Sequence, residues 1–157
     1  MSEQGNIDFV KLWYDAYMKA DAPRLLSYMA PDVEWIIPTM PGLEFSGRRK
    51  GRAEVEEFFR MVSERQELRR FAPEEFFASG DRVVVLGTYA WTVRSNGAEF
   101  GGFWAHIFDV KDGNILSFRQ LLDTNLVVEA HRRPAAVLRG PAWAGNTLQR
   151  TFQAPAG

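Results

Sequence analysis

The chain of 157 residues carries 19 lysines and arginines against 20 aspartates and glutamates, a formal net charge of -1, and this balance provides no positive field for gathering nucleic acid. The sequence contains no cysteine, which excludes disulfides, thiolate nucleophiles and cysteine-ligated metals. Because the N-terminus lacks a secretory signal pattern and no apolar run is long enough to span a bilayer, we expect a soluble cytoplasmic protein without a membrane partner.

Two helices are predicted at the start of the chain. The first covers residues 7–20, where apolar side chains recur at helical spacing, as in Val10, Trp13 and Tyr17. Asp21 is suited to cap a second helix. This helix must end before Pro31, because a residue that precedes proline avoids helical backbone angles.

A short strand, a loop and a third helix follow. The strand covers residues 33–37, and the prolines and glycines of residues 38–49 mark a loop. The third helix covers residues 52–64, because four apolar residues there repeat at i, i+3, i+4 and i+7: Val55, Phe58, Phe59 and Val62.

The second half of the chain changes to the pattern of strands. Four β-rich runs are predicted, over residues 68–78, 82–94, 99–110 and 115–122. Between them, Asn96-Gly97 and Asp112-Gly113 are strong hairpin signals. Helices followed by hairpin-connected strands predict an α+β fold in which the helices cover one face of an antiparallel sheet.

Two polar residues interrupt the apolar faces of the last two strands. His106 shares a face with Trp104 and Phe108, and Gln120 lies two residues after Phe118. A buried polar group needs a hydrogen-bond partner or costs roughly 1–3 kcal/mol. These two residues are therefore either satisfied locally, turned to the outer side of the sheet, or part of a site.

The last segment has no clear period. Residues 132–157 contain three prolines and three glycines with irregularly spaced apolar residues. This segment is either a mobile tail or an arm laid on its own domain or on a second subunit. We therefore divide the chain into a domain over residues 1–131 and a C-terminal tail or arm over residues 132–157.

Three segments resemble the SnoaL-like, nuclear-transport-factor-like superfamily: WYDAYMKAD with LLSYMAPDVEW near the start, SGRRKGRAEVEEFF before the third helix, and AHIFDVKDGNILSFRQLLDT over residues 105–124. The resemblance covers about residues 6–130. It implies a cystatin-like cone, in which three N-terminal helices pack on a curved antiparallel sheet around a deep apolar pocket. The fold hosts unrelated activities as well as non-enzymes.

The catalytic positions known from this superfamily are mostly changed here. Ketosteroid isomerase relies on carboxylates with tuned pKa values, and its oxyanion tyrosine falls at Trp13, its general base at Ile37 and its protonated aspartate at His106. The arginine and first aspartate of limonene epoxide hydrolase fall at Tyr89 and Trp91. Ketosteroid isomerisation by that mechanism is therefore not expected, and the water-activating arrangement of the epoxide hydrolase is incomplete.

Asp123 ends the last strand and resembles an aspartate of SnoaL-type polyketide cyclases and of limonene epoxide hydrolase. The resemblance also implies that His106 faces the pocket, where an imidazole and a carboxylate could exchange a proton near neutral pH. An alternative for Asp123 is that it caps a short helix. His131 is interpreted as a solvated helix end, and two histidines so far apart in sequence suggest no metal site.

The leading hypothesis is a cofactor-independent enzyme of isomerase, cyclase, dehydratase or epoxide hydrolase type that acts on a small apolar carbonyl compound, with Asp123 as general base and His106 as acid or oxyanion partner. A non-catalytic ligand-binding or accessory protein of the same fold is the alternative. We also expect a homodimer that associates through Phe103, Ala105 and Ile107. The predicted substrate contacts are mostly aromatic: Trp13, Tyr17, Trp35, Tyr89, Trp91, Trp104, Phe118 and Gln120.

Overall fold

The computed structural model describes residues 1–134, which form helices and strands in the predicted order. In chain order the elements are α1 (Glu3–Met18), α2 (Ala22–Ser27), β1 (Met29–Ile37), β2 (Gly47–Lys50), α3 (Arg52–Arg65), β3 (Gln66–Ser79), β4 (Arg82–Val93), β5 (Glu99–Lys111), β6 (Asn114–Leu122) and α4 (Thr124–Arg132). The α+β fold class is thus confirmed. The predicted tail lies outside the described residues from residue 135 onward.

Local hydrogen bonds explain where the first two helices begin. The side chain of Ser2 accepts a hydrogen bond from the backbone N–H of Gly5 at 3.0 Å, and α1 therefore starts earlier than its apolar spacing indicates. Asp21 accepts from the backbone N–H of Arg24 at 3.2 Å and caps α2 as predicted. In both cases a short polar side chain satisfies an N–H that has no partner inside the helix.

The six strands form one sheet in the order β2-β1-β6-β5-β4-β3. The predicted meander of the last four strands is confirmed, since each pairs antiparallel with the next. The expectation of an antiparallel sheet is wrong at one point, because β1 and β6 run parallel. These two strands are distant in sequence, and hairpin signals report only on neighbouring strands. The short strand β2 lies mostly within the predicted loop, where the sequence indicates no strand.

The sheet curves around the helices. The pairing of β3 with β4 shifts register at two places, and the pairing of β5 with β6 shifts at a third. Such bulges bend a strand and increase its twist. The curvature lets α1, α3 and α4 pack against the concave face, as the cone-shaped family fold requires.

The two faces of β5 differ as the alternation predicts. Trp104, His106 and Phe108 are buried on the concave side, whereas Phe103 on the outer side is 82% exposed. The helices therefore cover only one face of the sheet. No helix among residues 1–134 combines the length and the hydropathy needed to cross a bilayer.

Candidate functional site

A partly open, predominantly apolar cavity of about 80 Å³ lies between the helices and the concave face of the sheet. All eight side chains that the sequence predicts as substrate contacts line this cavity, together with His106. An engineered apolar cavity of about 150 Å³ accepts benzene. A ligand with a single ring therefore fills the enclosed space and extends toward the open side.

The first wall of the cavity consists of rings from α1, β1 and β6. Trp35 stacks on Phe118 with ring centroids 3.9 Å apart, and Trp13 stacks on Tyr17 at 5.8 Å. Trp13 and Trp35 in turn lie 5.9 Å apart. Because aromatic faces favour stacked or edge contacts with other rings, this wall suits a flat or ring-shaped ligand.

The second wall is built around Trp104, which lies between Phe71 at 4.8 Å and His106 at 4.0 Å. Its position depends on Gly87 of β4, where a Cβ atom would approach the Trp104 Cζ2 atom to 2.3 Å. Only a residue without a side chain allows this approach. The indole Nε1 donates to the backbone carbonyl of Thr88 at 2.9 Å, so the ring is fixed in place.

His106 is buried and hydrogen-bonded at both ring nitrogens. Its Nδ1 atom lies 2.8 Å from the hydroxyl of Tyr14, and its Nε2 atom lies 3.2 Å from Oε1 of Gln120, its cross-strand partner. An amide oxygen only accepts, so Nε2 carries the proton and Nδ1 accepts from Tyr14. Burial lowers the pKa of His106 to about 3, although the hydrogen bond with Gln120 acts in the opposite direction. The imidazole is therefore neutral at pH 7.

Four buried polar atoms of cavity-lining residues have no hydrogen-bond partner among residues 1–134. They are Nε1 of Trp13, Nε1 of Trp35, Oε1 of Gln66 and the hydroxyl oxygen of Tyr89. Each would cost about 1–3 kcal/mol if it stayed unpaired. Such a group needs a ligand or water in the cavity, and the two indoles can only donate.

The ionisable groups that line the cavity are uncharged at neutral pH. Burial raises the pKa of Tyr17 well above its usual range, and burial together with the charge of Asp123 raises the pKa of Tyr89 to about 12. Like these two phenols, His106 is neutral, and within residues 1–134 no carboxylate lines the cavity. The site therefore favours a neutral ligand, because a charged one would lose its hydration without an opposite charge to replace it.

Asp123 does not share this interior. Its carboxylate is exposed at the end of β6 and accepts hydrogen bonds from the backbone N–H groups of Asn125 at 3.0 Å and Leu126 at 3.4 Å, which makes it the N-cap of α4. The prediction that Asp123 and His106 face the same apolar pocket is therefore wrong, since only His106 is among the residues that line it. The family resemblance placed Asp123 beside the pocket, whereas β6 ends one residue earlier at Leu122 and gives Asp123 no strand face.

The sequence patterns do not single out Tyr14 or Gln66 as site residues, and the interpretation of His131 is wrong. Tyr14 lies beside the predicted contact Trp13, and Gln66 begins β3; both are buried. His131 is half-buried rather than solvated: its Nδ1–H donates to the carbonyl of Val127 at 2.8 Å, and its Nε2 atom is buried without a partner among the described residues. Tyr14 follows Val10 by one helical turn, and this spacing is the signal that could have revealed it.

No group of three histidine, aspartate or glutamate side chains within residues 1–134 is arranged to hold a metal ion. His106, for example, uses both nitrogens in hydrogen bonds to neutral side chains.

The family model of the SnoaL-like domain matches residues 10–118. The chain belongs to the SnoaL-like family. Among solved structures, this SnoaL-like protein is similar to an NTF2-like protein from Burkholderia xenovorans, with 32% identity over 84% of this chain and 99% of that one and a TM-score of 0.76. An NTF2-like protein from Burkholderia pseudomallei is also 32% identical, over 85% and 100% of the two chains, with a TM-score of 0.77.

A third similar structure is that of TerC, which was co-crystallized with polyporic acid. TerC is 31% identical to this SnoaL-like protein over 82% of this chain and 98% of its own, with a TM-score of 0.74. No curated protein sequence matches the chain significantly.

Proposed function

We propose that this SnoaL-like protein binds a small, uncharged, ring-containing carbonyl compound in its cavity and converts it by an isomerase, cyclase or lyase type of reaction without a cofactor. The observation that carries this proposal is the set of unpartnered buried donors in an aromatic cavity. Trp13 and Trp35 offer N–H groups, which favour a ligand that is apolar at its ring and carries an acceptor oxygen.

The three reaction types share one step, the formation of an enol or enolate from a carbonyl compound. Hydrogen-bond donors fixed in a dry site stabilise the negative charge that develops on the carbonyl oxygen. Neutral donors therefore polarise the carbonyl in place of charged groups, which the described residues do not contribute to this cavity.

His106 is not free to accept the proton in this scheme, because its Nδ1 atom accepts from Tyr14 and its Nε2 atom carries a proton that is donated to Gln120. The proton of the substrate therefore passes to water at the open side of the cavity, and His106 contributes by holding Gln120, which lines the cavity. A substrate that loses a carbon-bound proton easily in water, such as a 1,3-dicarbonyl compound, therefore fits this site better than a simple ketone.

Binding is tested with two one-ring probes of nearly the same shape, acetophenone and α-methylstyrene, which differ in whether an oxygen or a methylene is attached to the ring-bearing carbon. We expect calorimetric titration to give tighter binding of acetophenone. In Trp13→Phe and Trp35→Phe, which keep an aromatic ring and remove the N–H, this preference should fall. Equal affinity for the two probes in the wild type would contradict the proposal.

Turnover is tested with benzoylacetone, a one-ring 1,3-dicarbonyl compound whose diketone and enol forms differ in ultraviolet absorption. We expect the protein to accelerate their interconversion and His106→Phe to abolish the acceleration. His106→Phe keeps an aromatic ring in the wall, so binding of α-methylstyrene serves as the control for an intact cavity.

A second candidate function, ligand binding without chemistry, is favoured by the absence of a carboxylate among the cavity-lining residues of the described chain. Tight binding of acetophenone together with an unaltered rate for benzoylacetone would support this candidate over the enzyme.

A further inference from the structure

We propose that His106 acts as a positioning residue that orients the amide of Gln120, so that the Nε2 hydrogens of Gln120 are presented to a carbonyl oxygen in the cavity. This inference rests on the proposed function, since it names the group that recognises the carbonyl. It assigns to Gln120 the role of oxyanion donor and to Tyr14 the role of setting the tautomer of His106.

The chain of hydrogen bonds begins outside the cavity. Tyr14 is buried on α1 and does not line the cavity. Its hydroxyl lies 2.8 Å from Nδ1 of His106, which is its hydrogen-bond partner in the described chain. If the hydroxyl only accepted from Nδ1–H, its own buried O–H would have no acceptor, so the hydroxyl donates to Nδ1. Donation by Tyr14 requires a lone pair on Nδ1, so the proton of the neutral imidazole is held on Nε2.

The second link fixes the amide. With its proton on Nε2, His106 donates to Oε1 of Gln120 at 3.2 Å. If the amide turned over, two donors, Nε2–H of His106 and the NH2 group of Gln120, would face each other. The tautomer of His106 therefore decides which end of the amide faces the cavity.

The free end of the amide is available to a ligand. Gln120 lines the cavity, and the bond with His106 is the hydrogen bond that the described residues make to its amide. The ring of His106 is held in turn by Trp104 at 4.0 Å and by Phe118 at 4.6 Å. A donor held in this way needs little reorganisation when charge develops on the carbonyl oxygen.

The tautomer is measured first, without any ligand. In nitrogen-15 NMR spectra at pH 7 we expect His106 as the neutral form protonated at Nε2. In Tyr14→Phe, which keeps the ring and removes the hydroxyl, we expect the form protonated at Nδ1 to appear as well. A wild-type imidazole protonated at Nδ1, or a charged one, would overturn the inference.

Ligand selectivity is measured next. Gln120→Leu should lower the affinity for acetophenone about tenfold, a change of about 1.4 kcal/mol, and leave that for α-methylstyrene within about twofold. Tyr14→Phe should lose part of the same preference for acetophenone. If Tyr14→Phe instead lowers the affinity for both probes alike, Tyr14 has only a structural role and the inference is overturned. The matched control is Tyr28→Phe, which removes a hydroxyl that accepts from Arg24 away from the cavity and should leave both affinities unchanged.

The two proposals fail in different ways. If the wild type prefers acetophenone but Gln120→Leu retains the full preference, the proposed function stands and this inference fails. If the wild type shows no preference while the NMR spectra show the Nε2 tautomer, the proposed function fails and, with it, the role of Gln120 as a carbonyl donor.

Discussion

Asp123 is expected to act through the stability of α4 rather than through chemistry in the cavity. Its carboxylate accepts from two backbone N–H groups at the start of the helix, those of Asn125 at 3.0 Å and Leu126 at 3.4 Å. Replacing such a cap by alanine typically costs about 1 kcal/mol. For a chain of this size, a loss of about 1 kcal/mol lowers the melting temperature by roughly 2–4 °C.

The assay compares Asp123→Ala with Asp123→Asn, because asparagine caps a helix about as well as aspartate. Thermal unfolding followed by circular dichroism should show the loss for alanine and little change for asparagine. Asp21→Ala is the matched control, since Asp21 caps α2 in the same way, away from the cavity.

Binding of acetophenone and turnover of benzoylacetone are measured on the same variants. If Asp123→Asn keeps its melting temperature but loses turnover, the carboxylate has a chemical role and the assignment of Asp123 as a cap alone is refuted. Unchanged turnover in Asp123→Asn would support the placement that the structure shows.

Three further predictions concern pH, packing and association. Burial lowers the pKa of His106 to about 3 in the folded protein, against about 6.5 when unfolded. The contribution of the neutral His106 to the free energy of unfolding is therefore fully present above about pH 6.5 and decreases as the pH falls toward 3. In urea unfolding, the free energy of unfolding should fall by roughly 2 kcal/mol between about pH 6.5 and pH 5. His106→Phe should reduce this dependence on pH. Burial also lowers the pKa of His131, which accounts for part of the pH dependence that remains in the variant. Gly87→Ala should destabilise the fold by at least about 2 kcal/mol in the same assay, because the new Cβ would approach both the backbone carbonyl of Ala72 and the ring of Trp104 to 2.3 Å; wild-type stability would show that the neighbouring strand and the ring can shift without cost. We also propose that the outer sheet face forms a homodimer, so that the double variant Phe103→Asp with Ile107→Asp should lower the sedimentation coefficient, and an unchanged value would refute it.

The candidate site could be predicted from the sequence where strand alternation applies. Trp104 and His106 share a face of β5, Tyr89 and Trp91 share a face of β4, and all four line the cavity. Alternation has a period of two along a strand, so a correct strand prediction places every second side chain on the same side. Asp123 lies one residue beyond the strand, so this rule does not apply to it, and the family resemblance that suggested a catalytic role did not place it in the cavity.

The chemical state of His106 could not be predicted in this way. The sequence predicts a carboxylate near the imidazole, and such a neighbour would favour the charged form. The structure instead surrounds His106 with Tyr14, Gln120 and aromatic rings, so that burial is the largest influence on its pKa. Tyr14 lies 92 positions away in sequence, and no local pattern indicates this contact.

Composition, periodicity and turn residues by themselves determined the order of the elements, the α+β class and the inward faces of the long strands. These properties depend on interactions between residues close in sequence, such as the cap at Asp21 and the turn at Asp112-Gly113, where both residues have positive φ angles as a tight hairpin turn requires. The parallel pairing of β1 with β6 and the bond from Tyr14 to His106 were decided only by the tertiary structure. Each of these joins segments that are distant in sequence, which no local pattern can indicate. The polarity of the cavity therefore depends on which polar groups the fold brings together.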